Sequence, residues 1–217
     1  MRSRFDEQLA LLNRELIEMG AMCEEAIALA AKALMDGDPT LAGKAAPLAG
    51  EINRMERDIE SMCLKLLLQQ QPVARDLRLI SAALKMITDM ERIGRQAEDI
   101  AEIIPFVDGK AGVEFDYIGE MARESIHMVT ESVNAFVRRD TNLAAQVIGY
   151  DDVVDGWFRK VREALTSLIA AHPENGGRAL DLLMIAKYFE RIGDHASNIA
   201  EWVVFSVTGE HKGENMV

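Results

Sequence analysis

Apolar residues recur along most of this chain at steps of three and four, the signature of a helix with one buried face. The clearest stripe is Leu182, Ile185, Ala186, Phe189, Ile192, Gly193, Ala196, Ile199, Ala200 and Val203. Ninety-nine positions earlier the chain carries Met86, Ile87, Met90, Ile93, Gly94, Ala97, Ile100, Ala101 and Ile104, the same stripe again. Gly and Ala within it allow a neighbouring helix to come close. No stretch alternates apolar and polar residues long enough to predict a strand.

The breakers divide the pattern into six helices. "DGDPT" (36–40) ends a first helix that begins near Phe5, and Asp38 with Pro39 behind it caps a second. The second runs to "QQQP" (69–72), and the third from about Arg75 to Ile104, stopped by Pro105. After the Gly-rich polar link "DGKAGVEFD" (108–116), the pattern recurs. A fourth helix runs from about Phe115 to Arg139, and Asp140 caps the fifth as Asp38 caps the second. The fifth ends near "AHPENGG" (171–177), and the sixth runs from about Ala179 to Val207 before Gly209. The prediction is an all-α fold of two tandem three-helix bundles related by internal duplication, with repeats at residues 1–107 and 108–217.

The repeat carries chemistry. "ERIGRQAEDIAE" (91–102) and "ERIGDHASNIAE" (190–201) agree at eight of twelve positions, and the changes fall on ionisable or polar ones. Glu190, Asp194 and Glu201 lie within roughly 40° of one another around the sixth helix. Asp151 and Asp155, in "DDVVD", stand four apart on the fifth and face Glu190 and Asp194 in an antiparallel bundle. Carboxylates so placed repel unless protonated or bridged by a cation. Four oxygen-bearing side chains suit hard or borderline cations such as Fe, Mn or Mg. Asp152 and Asn198 are the adjoining oxygen donors. A solvated acidic face is the plain alternative; the duplication favours metal, because a merely solvated face has no need to repeat its pattern. In the first repeat Glu91 is kept, but Arg95 stands where Asp194 does, and Ala49 and Asn53 match Asp151 and Asp155. One site is therefore read as intact and the other as degenerate, with Arg95 pairing Glu91 in place of a metal.

Charge and composition narrow the classes. A formal net charge of −12 argues against nucleic acid as a partner and suits cations or basic protein faces. Two cysteines without a CxxC motif read as core thiols of a reducing cytoplasm. The charged N-terminus reads as no signal peptide, and no apolar run approaches the ~20 residues of a membrane span. Glu124 and His127 form a lone E-xx-H without the second pair that a ferritin-like di-iron site uses. His195, turned about 100° from Asp194, is read as structural. No phosphate loop, catalytic triad or dinucleotide fingerprint occurs, so the chain is expected not to be an enzyme. A carboxylate-bridged metalloenzyme on a helical bundle is the alternative.

"FDEQLALLNRELIEMG" (5–20), "QQPVARDLRLISAALKMITDMERIG" (70–94), "DDVVD" (151–155) and "ERIGDHASNIAEWVV" (190–204) together resemble the PhoU family, over about residues 5–209. The resemblance implies a duplicated three-helix bundle with iron or zinc at E/D-xxx-D motifs. It further implies a cytoplasmic negative regulator of phosphate uptake and of the starvation response. Such a protein bridges the ATPase subunit of a phosphate ABC transporter and a sensor histidine kinase, is commonly a homodimer, and meets the membrane only through its partners. The motif maps onto Asp151, Asp155, Glu190 and Asp194 in the second repeat. In the first it falls on Ala49, Asn53, Glu91 and Arg95, a departure from the acidic pattern.

Overall fold

The computed structural model describes residues 2–70, 72–107, 112–212 and 214–215. Six long helices dominate: α1 (Arg2–Asp36), α3 (Ala45–Gln70), α4 (Ala74–Ile103), α5 (Val113–Arg138), α6 (Thr141–Ala171) and α7 (Gly176–Thr208). A four-residue helix, α2 (Pro39–Ala42), precedes α3. Beyond α7, Glu210–His211 pairs antiparallel with Glu214–Asn215, the only strand pairing among the described residues. Gln71, and residues 108–111 of the expected link, lie outside the described residues.

The second predicted helix is two. Pro47 stands in the first turn of α3 and has no N–H to offer Gly43, so the chain turns at Gly43–Lys44 and starts again at Ala45. Elsewhere the corners follow local chemistry, and one corner is written twice. Gly37 ends α1 with φ 57°, and Arg139 ends α5 with φ 56°. Each is followed by an aspartate whose N–H donates five residues back, Asp38 to Ala33 O at 3.0 Å and Asp140 to Ala135 O at 2.9 Å. Each aspartate then caps the next helix. Asp38 accepts from Thr40 N at 2.8 Å, and Asp140 from Asn142 N and Leu143 N, both at 3.0 Å.

Helices α1, α3 and α4 pack together, as do α5, α6 and α7. The two sets join broadly, α4 along α7 and α1 along α5, so one continuous apolar core runs through all six long helices. The repeated stripes of α4 and α7 are buried as read from their spacing. Of the two stripe glycines, Gly94 serves close approach, whereas at Gly193 a Cβ would meet its neighbours at ordinary contact distance. A Cβ at Gly94 would lie 2.8 Å from Ile52 Cδ1 on α3. One at Gly193 would lie 3.5 Å from both Val154 Cγ1 and Asp151 Oδ1 on α6. Cys23 and Cys63 are free and buried, and burial pushes both thiols up, Cys63 to about 12. No described helix is long and apolar enough to cross a membrane.

Candidate metal centre and its altered counterpart

The second bundle brings the acidic pairs face to face. The α6–α7 contact at Gly193 sets the Asp151 carboxylate against the α7 backbone. Burial is the first cause that pushes Asp151 up, to about 6, with the charges of Asp194, Asp155 and Glu190 adding to it. The Ser197 hydroxyl partly offsets the rise without forming a hydrogen bond of good geometry. Asp194 is raised too, by burial first and then by Glu190, while Lys187 draws it back. The four carboxylates named from their spacing thus sense one another across α6 and α7.

They are not gathered into a cage. Among the described residues, no three His, Cys, Asp or Glu side chains converge closely enough to hold a metal ion as they stand. Lys187, one turn before Glu190, forms an ion pair with Glu190 Oε2, although its angles fall outside hydrogen-bond geometry. The donor set is all oxygen and carries an excess of negative charge, which fits a hard or borderline cation. Binding one would require Asp151, Asp155, Glu190 and Asp194 to draw together and Glu190 to leave Lys187.

The remaining donors are placed elsewhere. Asp152 is exposed, one residue further round α6. Asn198 lines a groove between α7 and α4. His195 turns to α4, where its Nδ1 lies 2.9 Å from Asp89 Oδ1, a contact that ties the two bundles. Glu124 accepts a hydrogen bond from the Tyr150 hydroxyl at 2.8 Å, and His127 packs edge-on to the same ring. Spacing did not reveal the parts of Lys187 or Asp89. Lys187 was legible in principle as an i, i+3 partner of Glu190. Asp89 was not, because its partner lies on another helix.

The first bundle carries the matched positions into one place. Ala49, Asn53, Glu91 and Arg95 line a single cavity of about 460 Å³ between α3 and α4. Arg95 forms an ion pair with Glu91 Oε1, and Asn53 Nδ2 donates to the same oxygen at 3.4 Å. Glu91 therefore has its cation within the chain, and Ala49 offers no donor. Arg54 and Arg57 stand on the same rim.

A three-helix bundle written twice, with facing carboxylates in one copy and an internal ion pair in the other, defines the class of protein. The family model for the PhoU domain matches twice, at residues 16–104 and 118–203. The phosphate-specific transport system accessory protein PhoU homolog of Pseudomonas aeruginosa is 35% identical over 211 residues, covering 95% of this chain and 86% of that one. The homolog of the same description from Clostridium acetobutylicum is 32% identical and covers 96% of each. The crystal structure of PhoU from Pseudomonas aeruginosa superimposes with a TM-score of 0.90 at 34% identity, covering 95% of this chain and all of that one. The chain belongs to the PhoU family.

Proposed function

We propose that this chain is an accessory protein of a phosphate-specific transport system. It acts in the cytoplasm as a negative regulator, restraining phosphate uptake and the phosphate-starvation response by contact rather than by catalysis. Its partners are the ATPase subunit of the phosphate ABC transporter and a sensor histidine kinase, and it works as a homodimer. The observation that carries this reading is the family match in both halves, together with relatives that bear the accessory-protein name along almost their whole length.

In this reading Asp151, Asp155, Glu190 and Asp194 hold a metal ion or cluster, iron or zinc, at the second repeat. The metal would supply positive charge to an acidic interface and so fix α6 against α7. Mn or Mg would satisfy the same oxygen donors. The first repeat, with Glu91 already paired by Arg95, stays metal-free.

The test is a pull-down of the purified ATPase subunit and of the kinase's cytoplasmic portion by the tagged full chain, with phosphate present and absent. Saturable binding to either supports the adaptor reading. Binding to neither, with a metal-dependent phosphatase or oxidase turnover instead, would replace it by the metalloenzyme reading.

A further inference from the structure

A further polar cavity lies beside the two copies of the E/D-xxx-D site and takes Glu91, Arg95 and Asp194 from them. It is an open groove of about 720 Å³ where α4 crosses α7, and it is built from equivalent positions of the two copies. Arg92 and Arg191 are the same residue of the repeated "ERIG" phrase, and both line it. Gln96 and His195 are likewise equivalent, as are Arg95 and Asp194. Duplication has thus placed two guanidinium groups on opposite walls of one groove, and the change of Asp to Arg at position 95 adds a third.

These guanidiniums are incompletely used within the chain. Arg191 is exposed and lies 6.0 Å from the Tyr188 ring; among the described residues it has no ion-pair partner. Arg92 meets Asp89 only at 3.9 Å, and Asp89 is already engaged by His195 at 2.9 Å. Arg95 pairs with Glu91 but remains 59% exposed. Two carboxylates, Glu91 and Asp194, also line the groove. Glu91 is covered by Arg95, whereas among the described residues Asp194 faces the groove without an ion pair, and Asp99, on α4, senses the charge of Arg191. The Asn198 and Gln96 carboxamides supply neutral donors beside them. In a chain of net charge −12, arginines outnumber carboxylates among the residues that line this concave surface. Guanidinium forks match tetrahedral oxyanions in shape and charge. A groove between walls of lower dielectric focuses their field.

We propose that the α4–α7 groove binds a tetrahedral oxyanion, either free inorganic phosphate or the phosphoryl group of a larger small molecule. Arg92 and Arg191 grip it from opposite sides, and Asn198 and Gln96 complete the donor set. The site draws on both repeats, so occupancy bridges the two bundles. It requires neither metal nor a protein partner, although Asp194, which lines the groove, is shared with the acidic face of the second repeat.

The experiment is calorimetric titration of the full chain, freed of metal by a chelator, near neutral pH and at low ionic strength. Inorganic phosphate and ATP are titrated separately. Saturable binding of phosphate assigns the free anion, and binding of ATP alone assigns a phosphoryl group on a larger molecule. In either case Arg92→Gln with Arg191→Gln weakens binding by about ten-fold or more, because the charge-assisted hydrogen bonds from both walls are lost. Arg54→Gln with Arg57→Gln, which alters the other arginine-lined cavity, leaves it unchanged. Asn198→Asp, which adds a like charge with little change of shape, weakens it as the arginine pair does. The proposal is overturned if the folded, metal-free chain binds neither probe. Undiminished binding in the Arg92/Arg191 variant, or equal loss in the Arg54/Arg57 variant, overturns it too.

Discussion

At the scale of single residues, Asp151 records the tension of the acidic face. Its carboxyl is raised from the ordinary 3.8 to about 6, so the folded chain holds that proton more tightly than the unfolded chain does. Between those two values the folded state binds more protons, and stability falls as pH rises through the window. Above it the whole contribution is lost. Without metal, Asp151→Asn should therefore melt higher than the parent at neutral pH, and the difference should close below pH ~4. Thermal melts in chelator across that range measure it; a difference independent of pH would mean that charge repulsion is not its source. A cation does for the ionised face what protonation does at low pH. Replacing Glu190 and Asp194 together by Ala should abolish metal content and the metal-induced rise in Tm. Glu91→Ala should leave both nearly unchanged, since Arg95 and Asn53 already occupy Glu91. Equal metal loss from the two variants would make the first copy a working site. The positions of both sets were legible because a helical offset fixes which residues share a face. The orientation of each carboxylate was not, because Lys187 and Ser197 act through space and not through spacing.

At the scale of elements, the repeated corner shows what local sequence decides. Both helix ends adopt a left-handed residue followed by an aspartate cap, yet one copy uses Gly37 and the other Arg139. A side chain with φ near +57° costs about 1–2 kcal/mol, which glycine avoids. Arg139 is further disfavoured by burial, and then by the charge of Arg75, both of which hold its pKa below the usual value. Arg139→Gly should raise stability by roughly 1 kcal/mol, and Gly37→Ala should lower it by a similar amount. Denaturant titrations decide the matter: a loss in Arg139→Gly would show that the Arg139 side chain makes contacts worth more than the strain. The caps were legible because Asp38 and Asp140 act on N–H groups two or three residues away. The break at Gly43–Lys44 also has a local cause, in Pro47, but one that a continuous apolar pattern conceals. The crossing of α4 on α7 had no such signal. Periodicity names the buried face of a helix and leaves open which helix covers it.

At the scale of the molecule, the two repeats share more than ancestry. The stripes of α4 and α7 are each packed into their own three-helix set and against one another, and the core passes between the sets without interruption. The Asp89–His195 contact crosses the same boundary among buried or nearly buried groups. Separating the bundles would expose apolar faces of α4, α7, α1 and α5 and leave that polar pair without its partner. The halves are thus expected to unfold as one unit, despite a sequence that reads as two. Metal at the second copy should then stabilise residues far from it. Adding the metal to chelated protein should move one transition to higher temperature as a whole, rather than split it into a stabilised half and an unchanged half. Calorimetry, with far-ultraviolet circular dichroism in parallel, reads this directly. Hydrogen exchange adds the spatial test: protection should rise in α1 and α3 as well as in α6 and α7, because the first bundle opens only when the second does. Two resolved transitions, with the first bundle's protection indifferent to metal, would show that the continuous core does not couple the repeats.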